Sequence, residues 1–184
     1  MMTSWHYCAI MTPKTILLET VTAEIEAFVD AAGWDAGPTL FALVPTRALA
    51  ADPNAAAVLG GPNADISPDA ITPIAQEELP EGPLDEALAQ IGWPEEVIGC
   101  ALSQHILMLP PSAEAGLSKA ELTPTAAAEH PERREARLVV AVLRDQTSAT
   151  ILRLRSADGT SHDLLTGSDL APNLLAALSA TLID

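Results

Sequence analysis

Aromatic side chains are scarce in this chain, at 3% of 184 residues, which excludes a core built from packed rings. The 48% of apolar residues must therefore pack as Leu, Val, Ile and Ala. Cysteine is almost absent. Cys8 and Cys100 form no CxxC and no closely spaced framework, which excludes a disulfide scaffold. Reduced thiols and a reducing compartment, the cytoplasm, are expected. Long apolar runs are missing as well, so no membrane-spanning segment and no membrane insertion are expected. The first ten residues lack the basic region and apolar stretch of a signal peptide. Met11 offers an alternative start, because Thr12-Pro13 then opens a helix, and residues 1–11 are expected to form a disordered extension.

Basic residues are few, nine against twenty-five acidic ones, and the formal net charge is −16. A field of that sign repels phosphate backbones and anionic lipid, so nucleic acid is not an expected partner. The histidines, His6, His105, His130 and His162, show no helical metal spacing and no HExxH. Gly60-Gly61-Pro62 fits neither the dinucleotide pattern nor the P-loop. No metal and no cofactor is expected.

What is present is a concentration of positive charge. Residues 1–118 carry two basic and sixteen acidic side chains, whereas residues 119–184 carry seven basic and nine acidic ones. The cluster lies on the clearest strand pattern in the chain, Glu135 to Arg144 followed by Ala149 to Arg155. Arg153 and Arg155 are two apart, so both point to one sheet face, and Leu152 and Leu154 point to the other. With Arg133, Arg134 and Arg137 they make a candidate anion or partner face, since the planar guanidinium fork suits carboxylate and phosphate. The competing reading is a solvated face whose arginines pair with nearby carboxylates. An acidic surface would be attracted there, of a partner or of the chain's own acidic first part.

Several residue combinations suggest chemistry and fail on geometry. Cys100 and His105 resemble a nucleophile and its base, but their odd spacing on one strand puts them on opposite faces. Cys100 reads better as a small core residue. Adjacent Ser161, His162 and Asp163 point in alternating directions and make no triad by themselves. Trp34 and Trp93 each follow a glycine that ends an expected helix. They are either lids over the core or an aromatic rim around a groove.

The periodicity predicts a helix over 16–32, with Leu17, Val21, Ile25, Phe28, Val29 and Ala32 on its apolar face and Glu19, Glu24, Glu26 and Asp30 toward water. A strand follows over 39–44, with helical turns from Thr46 and from Asp52. A weaker strand over 70–79, interrupted by Pro73, belongs at an edge. Then come a short helix over 83–91, a long strand over 97–109, and three strands over 136–144, 149–156 and 160–165. Asp158-Gly159 is the strongest hairpin signal. Leu174, Leu178 and Leu182 mark a C-terminal helix.

The segments Leu40 to Thr46, Trp93 to Leu102, His130 to Asp145 and Leu165 to Leu170 resemble a family of uncharacterised actinobacterial proteins of about this length. The resemblance covers nearly the whole chain from about Lys14. It implies no activity and carries over no site residue.

The expected fold is α+β, mainly an antiparallel sheet, with the N- and C-terminal helices packed on one face. Residues 12–184 are expected to form a single domain with a mobile Ala/Pro-rich excursion at 110–134. The expected function is that of a non-enzymatic binding or adaptor protein, meeting a protein partner or its own copy as a homodimer. The alternative is a small hydrolase or ligand-binding enzyme that holds an anionic metabolite on its arginines.

Overall fold

The computed structural model describes residues 12–51, 66–77, 79–80, 82–109, 129–156, 162–167 and 170–183. The expected N-terminal extension, the helical turn from Asp52, most of the 110–134 excursion and the Asp158-Gly159 turn lie outside them.

Helix α1 spans Pro13–Ala31. Its start follows from two adjacent residues. Thr12 accepts a hydrogen bond from the Thr15 N–H on its side-chain oxygen, at 3.2 Å, and Pro13 takes the first turn, where no N–H is needed. It stops before Gly33, whose φ of +90° suits a residue without a Cβ. Its buried stripe is Leu18, Val21, Ile25 and Val29. Three residues differ from the expected pattern, Ala32 among them, which is exposed just past the helix end. Glu26, expected to face water, is 3% exposed, and Phe28, expected in the core, is 61% exposed. The helix is rolled toward Glu26 because two arginines lie beneath it.

Six strands follow, namely β1 (Thr39–Pro45), β2 (Ile71–Ala75), β3 (Gly99–Met108), β4 (Arg134–Leu143), β5 (Ser148–Arg155) and β6 (His162–Thr166). They form one antiparallel sheet in the order β2-β1-β3-β4-β5-β6. The edge position expected for the Pro73-bearing strand is the position β2 holds. A four-residue helix, α2 (Thr46–Leu49), follows β1. The short α3 (Leu84–Leu88) precedes β3, and α4 (Pro172–Thr181) closes the chain.

The α+β class and the antiparallel sheet are as the sequence indicates, but the two long helices do not share a face. Helix α1 packs with Phe41, Leu43, Ala101, Val139 and Ala141. Helix α4 contributes Leu178, which packs with Cys100, Leu102, Leu138, Val140 and Val142. These two sets alternate along β3 and β4, so they lie on opposite sides of the sheet. Residues 136–143 are buried on both parities, and a strand apolar on both sides needs cover on both sides.

Several contacts fix the ends of the helices. Arg144 donates to the carbonyls of Val97 (2.9 Å), Trp93 (3.1 Å) and Leu182, tying the segment before β3 to the last turn of α4. Its positive charge meets the carbonyl end of that helix. Lys14 binds Asp145 at 2.6 Å and fastens the start of α1 to the β4–β5 turn.

Two predictions follow from this packing. Val140 is fully buried at mid-strand, so Val140→Ala is expected to destabilise by about 1–3 kcal/mol through lost burial and a small cavity. A urea midpoint equal to wild type would contradict its central place. Asp145 is held down to about 2, first by the hydrogen bond from Lys14 and then by Thr147. Its folded pKa lies below the unfolded value, so its contribution is present above about pH 4 and is lost as pH falls through about 2. The thermal-midpoint gap between wild type and Lys14→Ala should therefore close over that interval.

Candidate functional site

The site begins with a row of paired residues across the sheet. His105 stands opposite Arg137, Arg137 opposite Arg153, and Arg153 opposite Leu164. Paired residues in an antiparallel sheet point the same way, so both arginines rise from the face that α1 covers. In α1, Glu26 and Asp30 are one turn apart and overhang the row.

The four side chains form a cluster in which Arg137 and Glu26 are buried and Arg153 and Asp30 are partly exposed. Arg137, 0% exposed, donates to Asp30 Oδ1 at 2.7 Å and to the Gly33 carbonyl at 2.8 Å, and lies 3.6 Å from Glu26 Oε1. Arg153 grips both carboxylate oxygens of Glu26 through Nε and Nη2. Glu26, mainly through this hydrogen bond, raises the pKa of Arg153 further above its already high value. Among the described residues Arg137 Nε has no acceptor. The flat side of that guanidinium instead lies over the Trp34 ring, 4.6 Å from its centroid.

Trp34 extends this arrangement to the surface. Gly33 turns the chain down onto the sheet, so Trp34 reaches both Arg137 and Arg155, the latter 5.3 Å from the ring centroid. The His105 ring packs beside it at 5.3 Å, tilted by 32°. Desolvation lowers the pKa of His105, and the Arg137 charge lowers it further, so its imidazole is neutral near pH 7. Arg155 is bound to Glu135, and both side chains are about half exposed. Together Trp34, Asp35, His105, Leu107, Glu135 and Arg155 line an open cleft of about 280 Å³, with Ile106 beside them.

The sequence candidates divide as follows. Arg137, Arg153, Arg155 and Trp34 come together. The face expected to be wet is covered at Arg137 and Arg153 by the chain's own acidic α1. Arg133 and Arg134 stand exposed at the entry to β4, with an Arg133 Nη1 contact to the His130 carbonyl at 3.4 Å. Trp93 lies elsewhere, packed against the α4-side core with its Nε1 donating to Thr181 at 3.0 Å. Cys100 is buried on that side, close to Thr181, and burial pushes its thiol up to about 11. The whole sheet separates it from His105, as their spacing requires. The side chains of Ser161 and His162 lie outside the described residues. Among the described residues, no group of three or more His, Cys, Asp or Glu is placed to hold a metal ion.

Sequence reasoning missed Glu26, Asp30 and Glu135 as the arginines' partners, and His105 as Trp34's neighbour. One signal was present: two acids four apart on a helix, above arginines sixteen apart on adjacent strands.

The chain matches the PPA1309-like protein family over residues 18–183. It belongs to that family. The matched span takes in all six strands, α1 from Leu18 onward, the whole of α4 and the whole Trp34 cleft. No activity is assigned to the family. No curated protein and no solved structure matches the chain.

The cluster and the cleft respond differently to charge reversal. Arg153→Glu removes the bidentate partner of the buried Glu26 and sets a second carboxyl group against it, and is expected to cost about 3 kcal/mol or more. Arg155→Glu breaks an exposed pair and should change stability by less than about 1 kcal/mol. Chemical denaturation of the two single variants checks this contrast. Equal losses would contradict the division between buried cluster and exposed cleft.

Proposed function

We propose that this member of the family is a non-enzymatic binding or adaptor protein, and that the Trp34 cleft receives a segment of a protein partner. The observation that supports the reading most is the convergence of Trp34, Arg155 and His105 around one open depression. A half-buried tryptophan beside an arginine is a pairing enriched at protein contacts, where a ring supplies area and a guanidinium supplies direction. Leu107, 44% exposed, adds apolar surface at the same place.

The charge balance favours a peptide segment over a small anion. Each arginine near the cleft already has a carboxylate: Asp30 and Glu26 for Arg137, Glu26 for Arg153, and Glu135 for Arg155. An anionic metabolite would have to displace one of these and also meet Asp35. A peptide can instead place apolar and amide groups over Trp34 and Leu107 and use Arg155 and Glu135 for one complementary contact each. The rim cations Arg133 and Arg134 lie at the same end of the sheet. The cytoplasm is the proposed location, and a buried, protonated Cys100 suits its reducing conditions.

A fluorescence titration tests this reading. Wild type, Trp34→Phe and Arg155→Glu are titrated with a panel of mixed-charge hexapeptides and, separately, with citrate. A peptide-dependent change in wild type that both variants lose is the expected result. Response to no peptide would sink the reading, and response to citrate alone would turn it into one of anionic-metabolite binding.

A further inference from the structure

The two edges of the sheet are built differently. Strand β2 carries Pro73 at its centre and runs into Gln76 and Glu77, features that discourage another strand from pairing there. Strand β6 reads His-Asp-Leu-Leu-Thr, with no proline, no lysine and one charge. Among the described residues no strand pairs with its outer side. Leu164 and Leu165 point to opposite faces, and both are nearly half exposed, at 46% and 45%. Leu170, 40% exposed, lies against the end of the same strand, near Gly167.

The backbone shows which groups are open. The Gly167 N–H donates inward to the Thr150 carbonyl. In an antiparallel strand alternate residues direct their N–H and C=O to the same side, so Asp163 and Leu165 also bond inward. His162, Leu164 and Thr166 therefore present their backbone groups outward. This set is symmetric about Leu164. A second copy related by a two-fold axis through Leu164 would pair Leu164 with Leu164 and His162 with Thr166, and every outward donor in β6 would meet a carbonyl.

We propose that the chain forms a homodimer by antiparallel pairing of β6 with β6 about Leu164, making one sheet continuous across two copies. Three observations choose a second copy over another protein. The outward hydrogen-bonding set is self-complementary, as an isologous contact requires. The same register brings Leu164 against Leu164 on one face and Leu165 diagonal to Leu165 on the other, so both exposed leucines gain apolar neighbours. The strand itself carries a single charge, Asp163, so pairing brings few like charges together. Trp34 lies outside this interface, and Arg155 adjoins it only as the cross-strand neighbour of His162, without supplying a backbone group to the new pairing.

The test combines mass and amide exchange on the full chain. Light scattering after size exclusion should give twice the chain mass of 19.2 kDa. Leu164→Pro removes an outward N–H and leaves the inward ladder to β5 untouched, so it should give a folded monomer by circular dichroism. Leu164→Lys, which guards the edge with charge, should do the same and decides the matter if the proline variant does not fold. Exchange provides a site-specific readout. The Leu164 amide should become protected as concentration rises, while the Leu165 amide is protected throughout. A wild-type monomer at every concentration overturns the proposal. So does a dimer that persists in both variants, or Leu164 protection that does not depend on concentration. Arg155→Glu should leave the dimer intact, which separates failure of this interface from failure of the cleft.

Discussion

Glu26 lies beneath α1 with two guanidiniums below it, and the placement of that helix depends on this contact. Arg137 is fully buried in the middle of the sheet face, and a cation there without an anion would cost several kcal/mol. The helix supplies the anion by rolling Glu26 inward, and Phe28 turns outward in consequence, to stand edge-on to Phe41 with ring centroids 6.1 Å apart. Asp30, one turn later, takes the other side of Arg137. Gly33 then offers its carbonyl to the same guanidinium, and Trp34 covers its flat side. The charges fix the roll of the helix, the direction of its exit and the position of the tryptophan. Replacing all four groups with well-packed apolar residues need not cost stability, but it would remove the contacts that set this geometry.

The opposite face is organised by packing rather than charge. Leu178 and Leu182 of the α4 segment meet Cys100, Leu102, Leu138, Val140, Val142 and Leu152, all buried and all uncharged. Polar groups appear at the border, where Trp93 reaches Thr181 and Arg144 gathers the carbonyls of Trp93, Pro94, Val97 and Leu182. Gly99 lets β3 and β4 approach there, since a Cβ would sit 2.5 Å from the Val142 carbonyl oxygen. The sheet thus has one face whose cover is oriented by ion pairs and one whose cover is oriented by shape. The cleft arises on the first, because only there does a loop have to bend over a buried charge.

Much of this was legible in the chain, and the limits have physical causes. Thr12-Pro13 and Gly33 marked the ends of α1 because capping and positive φ are local requirements. The alternation through 99–108 and 134–155 marked the strands because side chains in a strand change sides at every residue. The same run also held evidence that went unused. Val139-Val140-Ala141-Val142-Leu143 is apolar on both parities, which already requires cover on both faces and argues against two helices on one. Arg153 and Arg155 were correctly placed on a shared face. Alternation, however, states which residues share a face and not what lies on it, so a covered, ion-paired face was expected to be open. The Trp34–His105 contact joins residues about seventy positions apart, and no local pattern could signal it. The family was legible from four short segments spread along the chain.

Charge accounting ties these observations together. The chain is acidic overall, yet its arginines are concentrated in the strands at its centre. Two acids of α1 neutralise Arg137 and Arg153, and Glu135 neutralises Arg155, so the cationic cluster of the sequence survives as an open cationic surface only at Arg133 and Arg134. The partner that its positive charge called for is, in large part, the chain's own first helix. The proposed recognition therefore rests on something other than attraction of an acidic molecule. The surfaces that remain are a tryptophan beside a half-exposed ion pair, and a strand edge whose hydrogen-bonding groups and leucines face outward. Contacts of both kinds depend on shape and backbone geometry more than on net charge. They can therefore operate on a molecule whose long-range field repels acidic partners and further copies of itself, because their energy is short-ranged and begins to act where screening has already reduced that repulsion.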